Sequence, residues 1–292
     1  MQGCPAGDFV VMGYKKVRVG FLTLATLISV WMSQVHAQTT TLPTIEREPS
    51  NCLAIAQNLP KATYVNLTLA QTQVPRGSVS ITYVGHSTFW VESPGGVTIA
   101  TDYAGWRMSH GVPRIATMNK AHETHYTDSP DPAIEHVLRG WNPQGGRATH
   151  NLEVGDVLIR NVTTDIRGWQ GAEKDANSIF IFEISGLCLG HLGHLHHELG
   201  AGHVGWIGRL DVVMVPVDGS HTLPMQNMAE VIKTLRAQII LPMHAFGDYS
   251  LSAFVAALSK DFATSRSETS TISVSADNLP SRPTIIVLKP TP

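Results

Sequence analysis

The chain has 292 residues, 21 Lys+Arg against 23 Asp+Glu, a formal net charge of −2, and 43% hydrophobic against 15% charged residues. That length and apolar content suit one large α/β domain or two smaller ones, each with a sizeable core. The near-neutral balance, with no basic run and no interleaving of basic and aromatic residues, argues against a nucleic-acid partner.

Lys15, Lys16 and Arg18 precede an apolar run over residues 19–32, and Val35-His36-Ala37 forms a small-residue cleavage pattern. Residues 1–37 therefore read as a signal peptide cleaved near Ala37, which sends the mature chain to the periplasm or out of the cell. The apolar run is short for a stable membrane span, although an uncleaved anchor is the alternative. Met12, just before the basic residues, is an alternative start. Residues 38–77 read as an N-terminal arm with one short helix near 52–57. Cys188 lies in an apolar run and reads as a small packed hydrophobe, with a Cys52–Cys188 bridge left open.

The compact domain is expected over 78–292. Period-2 and continuous apolar patterns predict strands over 79–84, 88–92, 97–101 and 114–118, then a short helix over 132–138 closed by Gly140. Further strands are predicted over 157–162, 178–184, 187–189, 211–217, 239–241 and 284–288. Helices are predicted over 224–235 and 250–258. Hairpin-style strands followed by alternating strands and helices, twice over, predict an α/β fold: two sheets face to face with helices outside, a four-layer αβ/βα sandwich.

Fourteen histidines are many for this length, and they gather at predicted strand ends. His86, the pair His122 and His125, the run His191, His194, His196 and His197, and His244 each follow a strand. Strand ends at one sheet edge are where α/β folds place their sites, and neutral imidazole is a common ligand for zinc and iron.

The segment Ile81-Thr-Tyr-Val-Gly-His-Ser-Thr-Phe-Trp90 with Gly95-Gly-Val-Thr-Ile-Ala-Thr-Asp102 resembles the opening hairpin of the metallo-β-lactamase superfamily. The branch it is most similar to contains the lactonase-like, Zn-dependent hydrolases. Cys188-Leu-Gly-His-Leu-Gly-His194, the 211–219 segment and Ile240-Leu-Pro-Met-His244 resemble its later strands. The departures are specific. The family's His-x-His-x-Asp-His appears here as Ala121-His-Glu-Thr-His-Tyr-Thr-Asp128. His194 stands where a metal-bridging aspartate is expected, and Asp165 or Arg167 where another ligand histidine is expected.

The resemblance implies a metal-dependent hydrolase that uses a metal-activated water on an ester, lactone, amide or phosphodiester bond of a small-molecule substrate. His122, His125, His194 and His244 are the expected ligands, with His196, His197 or Asp128 available to a second, weaker ion. Zn2+ is the first expectation, as one or two ions, with Mn2+ or Fe2+ as alternatives. An imidazole has one free lone pair where a carboxylate can bridge, so the His194 replacement favours one well-held ion. Asp102, Asp128 and Asp165 are candidates to accept a proton or to fix a ligand imidazole. His86 and His221 are expected to line the pocket, and Trp106, Trp141 and Trp169 either to wall it or to cover the core. Two rival readings are a non-catalytic metal- or ligand-binding protein on the same fold and a β-lactam hydrolase. Sequence leaves the oligomeric state open.

Overall fold

The computed structural model describes residues 50–53, 74–106, 108–168 and 171–292; the signal-peptide reading, most of the arm and Trp169 lie outside them. Among the described residues no helix is long and apolar enough to cross a membrane.

The first sheet is built from β1 (Ser78–Gly85), β2 (Thr88–Glu92), β3 (Thr98–Ala100), β4 (Ile115–Met118), β5 (His136–Arg139) and a late strand, β13 (Thr271–Ser275), in the order β13-β1-β2-β3-β4-β5. The second comprises β6 (Asn151–Val154), β7 (Val157–Gly168), β8 (Gly171–Ile184), β9 (Leu187–His191), β10 (Val212–Pro216), β11 (Ile239–Met243), β12 (Ala263–Arg266) and β14 (Thr284–Val287). Their order is β12-β14-β11-β10-β9-β8-β7-β6. Among the described residues there are three α-helices, α1 (Ala201–Ile207), α2 (Met225–Leu235) and α3 (Asp248–Leu258).

Alternation along the strands builds two cores from one sheet. On β8, Phe180, Phe182 and Ile184 point to the core between the sheets, where they meet Ile81, Phe89, Val91 and Ile99. Ile179 and Ile181 point the other way, to a core shared with Met228, Val231 and Ile232 of α2 and Phe254 and Leu258 of α3. The helices therefore cover the outer face of the eight-stranded sheet. On the outer face of the six-stranded sheet the covering layer is made of loops: Tyr103, Met108 and Ile134 pack on Trp90, Ala116 and Met118.

Two expectations need correction. The helix predicted over 132–138 does not form: residues 132–135 carry a turn and a bend, and 136–139 are strand β5, parallel to β4 in the register Ile115↔His136 to Met118↔Arg139. The Pro132 start and Gly140 stop suited a helix, but the edge of β4 offers a ladder that the segment takes in preference. Cys188, read as a small packed hydrophobe with a bridge to Cys52 left open, is disulfide-bonded to Cys52 across 136 residues. The bridge seats residues 50–53 on the domain. There Ser50 Oγ donates to Glu183 Oε1 at 2.5 Å and Asn51 N–H to Glu183 Oε2 at 2.8 Å, while Arg160 pairs with the same carboxylate at 3.1 Å.

Candidate metal centre

The site lies at the strand ends along one rim, with contributions from both sheets. His86 occupies the β1–β2 turn, where the register slips between Tyr83 and Gly85. Asp102 follows β3, and His122 and His125 follow β4. His194 and His196 follow β9, Asp218 follows β10, and His244 follows β11. His86, Asp102 and His244 all have positive φ (50°, 42° and 54°), a conformation costly for residues with a Cβ and held only where surroundings impose it. Part of that imposition is visible: His244 N–H donates to His86 O at 2.6 Å, and Tyr83 Oη donates to the same carbonyl at 2.9 Å.

One ring nitrogen from each of His86, His122, His125 and His244 lies within 4.8 Å of the others. His125 is fully buried, and its Nδ1–H donates to Asp102 Oδ2 at 2.6 Å, with Ser87 Oγ at 3.1 Å. Asp102 is fixed in turn by Asn119 Nδ2 at 2.8 Å, and Asn119 Oδ1 accepts Ser178 N–H at 2.7 Å. His244, also fully buried, has Nδ1 at 3.2 Å from Asp218 Oδ1, close enough for an ion pair but not aligned for a hydrogen bond. Nε2 of both rings is buried with no hydrogen-bond partner. A buried imidazole with a carboxylate at Nδ1 and an unpartnered Nε2 is the arrangement that metal-ligating histidines adopt.

Burial and crowding disfavour the charged form of His122, His86 and His194. Burial, then the neighbouring His125 and His244 rings, push His122 down to about 4 from its ordinary 6.5. Burial and the His244, His125 and His122 rings take His86 to about 3. Burial, then the His125 and His244 rings, hold His194 well below the usual imidazole range. Burial alone would raise Asp102 and Asp218. For Asp102 this is outweighed by His191, His125 and Asn119. For Asp218 it is outweighed by the adjacent His244 ring and by hydrogen bonds from the Thr222 hydroxyl and the backbone of Ser220 and Thr222. Both carboxyls are held below their ordinary range.

The remaining sequence candidates fall in different places. His194 joins the cluster: its Nε2 lies 3.1 Å from His122 Nε2, and its backbone N–H donates to Asn177 Oδ1 at 2.8 Å. His196 stands behind it, with both ring nitrogens engaged, by Arg167 N–H and by His194 Nδ1. His191 is a strut: Nε2 donates to Ser87 O and Nδ1 accepts Gly193 N–H. Asp165 faces away, paired with Lys174 and accepting Asp175 N–H. His197 accepts the Asp165 N–H at Nε2 and likewise stays out of the cluster. Asp128 is exposed, with no described contact to the histidines. His221 is exposed at the mouth, its ring 5.4 Å from Phe246. Trp141 packs on Tyr126, and Trp106 is exposed. A cleft of about 350 Å³ opens over the cluster, lined by His122, His194, His196, Arg167, Ser220 and His221.

Sequence reasoning missed Asp218 and Thr124 as partners of the histidines, and Asn119 as the partner of Asp102. Asp218 carried a usable signal, an acidic residue directly after a fully apolar strand. Thr124, which bridges His86 Nε2 and His122 Nδ1, carried none.

A two-sheet sandwich with buried histidines gathered from both sheets at one rim defines a metallo-β-lactamase-type fold. The chain belongs to the metallo-β-lactamase superfamily: the family described as "Beta-lactamase superfamily domain" matches residues 80–244, more than half of the chain. A curated relative, the UPF0173 metal-dependent hydrolase of Myxococcus xanthus (strain DK1622), is 23% identical over 229 residues, 68% of this chain and 81% of that protein. Among solved structures, a protein from Thermotoga maritima described as a Zn-dependent hydrolase of the metallo-β-lactamase superfamily shares the fold at a TM-score of 0.53. It is 24% identical, over 73% of this chain and all of that one.

Proposed function

We propose that this metal-dependent hydrolase of the metallo-β-lactamase superfamily uses one divalent ion, held by His122, His125 and His244, to cleave an ester, lactone, amide or phosphodiester bond of a small molecule. The observation that carries the reading is the pair of buried, unpartnered Nε2 atoms on His125 and His244, each backed by a carboxylate. The donor set, three imidazoles, suits Zn2+ first, with Mn2+ or Fe2+ as alternatives. A bound ion supplies Lewis acidity toward a carbonyl or phosphoryl oxygen and acidifies water. The chain's own residues do the rest. Asp102 holds the His125 proton on Nδ1 and so keeps its Nε2 lone pair turned inward. Asp218, 3.2 Å from His244 Nδ1, places a negative charge beside that ring. Phe246, 5.1 Å from the His244 ring and exposed, offers an apolar wall at the mouth.

The test is metal analysis of the purified chain with an ester, lactone, amide and phosphodiester panel, a β-lactam included. Activity is expected to vanish on chelation and to return with zinc. Turnover that survives complete metal removal sinks the reading, and tight metal with no turnover on the whole panel favours the non-catalytic rival.

We further propose that the protein works in an oxidising compartment, the periplasm or the cell exterior. The Cys52–Cys188 disulfide supports this, because such bonds persist where thiols are not kept reduced. Free thiols at both positions in protein isolated from its native compartment would refute it.

A further inference from the structure

One backbone donor fixes the proton positions of a string of imidazoles. A peptide N–H can only donate, and Arg167 N–H meets His196 Nδ1 at 2.7 Å. His196 Nδ1 is therefore an acceptor, and the ring's proton sits on Nε2. That Nε2–H faces His194 Nδ1 at 2.5 Å, so His194 Nδ1 also accepts, and the His194 proton sits on its own Nε2. His194 Nε2–H in turn points at His122 Nε2, 3.1 Å away, which presents a lone pair. The His122 proton then lies on Nδ1 and is donated to Thr124 Oγ1 at 2.7 Å, and the threonine hydroxyl donates onward to His86 Nε2 at 2.8 Å. All five hydrogen bonds run in one direction.

This direction divides the histidines into two kinds. His122 Nε2 presents a lone pair, beside the buried Nε2 atoms of His125 and His244, which have no hydrogen-bond partner. His194 Nε2 carries a hydrogen, and His86 Nε2 is an acceptor already in use. We infer that His194, at the position where the superfamily resemblance expects a metal-bridging aspartate, is not a ligand but a fixed N–H donor beside a three-histidine, single-ion centre. Once His122 gives its lone pair to an ion, the His194 Nε2–H loses its acceptor. The cleft that His194 lines is where a new one enters: a substrate oxygen that gains negative charge as the bond is cleaved.

The inference rests on the proposed metal-dependent reading, and its test separates the two. Long-range proton–nitrogen NMR on the full chain labelled with 15N-histidine, metal-free and zinc-loaded, reads each ring's proton directly. The expected result is a protonated His194 Nε2 and an unprotonated Nδ1 in both states, with one zinc per chain. In competition with a chromophoric chelator, H194A and H194Q are expected to keep one zinc with affinity within about tenfold of the parent chain, while H122A loses more than the ~100-fold that outer partners cost. Loss of the His194 Nε2 proton on zinc loading, two zinc ions per chain, or an H194A defect as large as that of H122A would overturn the inference. A zinc-loaded chain with this tautomer pattern but no turnover would sink the hydrolytic reading and leave the His194 assignment standing.

Discussion

Each of two buried histidines owes its orientation to one carboxylate, and that dependence is measurable. D218N keeps the side-chain volume but removes the charge beside His244 Nδ1. It is expected to weaken zinc binding about 10–100-fold with the fold intact, read by chelator competition alongside circular dichroism. Unchanged affinity would show that Asp218 serves only the Ser220–Thr222 backbone that it also binds. Protonation gives a second expectation. His122, His86 and His196 titrate near 4, 3 and 4 in the folded chain, each below an ordinary 6.5. Between those values the unfolded chain binds more protons, so stability rises with pH and is lost as pH falls from about 6.5 to about 3. The depressed Asp102 and Asp218 carboxyls extend the loss further into acid. The melting temperature of the metal-free protein should therefore fall steadily across that window, and a flat profile would contradict the neutral, crowded cluster. The clustering of His122, His125 and His244 was legible from their positions after apolar runs. The pairing of His244 with Asp218 was not, because it joins neighbouring parallel strands 26 residues apart and leaves no local pattern.

Gly193 shows how an element's end sets the site. With φ +59° it turns the chain out of β9, and a Cβ there would sit 2.4 Å from both Asn119 Nδ2 and Asn177 Oδ1. Those asparagines hold Asp102 and the His194 backbone respectively. G193A is thus expected to lower both stability and zinc affinity, with the affinity loss the larger surprise if absent, since neither asparagine is a flexible chain end that can give way. On α2, Ile232 is fully buried against the eight-stranded sheet, and I232A should cost about 2–5 kcal/mol in a denaturant titration with little effect on metal binding. Elements of this kind were the readable ones. Ile179-Phe-Ile-Phe announces a strand buried on both faces, and the spacing of Met228, Val231, Ile232 and Leu235 announces a helix face. β12 and β13 went unread because they are edge or near-edge strands with mostly exposed or half-exposed side chains, held by ladder hydrogen bonds rather than by an apolar pattern. β5 was misread because it too is an edge strand, four residues long and mostly half-buried.

Taken as a whole, the molecule is closed by long-range ties. Cys52 and Cys188 span 136 residues, and in the chain-entropy view a loop of that size stabilises the folded state by constraining the unfolded one. C52S is expected to lower unfolding free energy by about 2–5 kcal/mol in non-reducing buffer, and adding a reductant to the parent chain should reproduce most of the difference. If reduction leaves the denaturation midpoint in place, the Glu183 contacts of Ser50 and Asn51 suffice to seat the segment.

His122 and His125 leave the six-stranded sheet, whereas His244 leaves the eight-stranded one. A cation gripped by all three would rivet one half of the sandwich to the other, so the halves could not drift apart without surrendering it. Scarcity of zinc would then be felt first as a loosened seam between the sheets and a faster route to proteolysis, before any question of turnover arises.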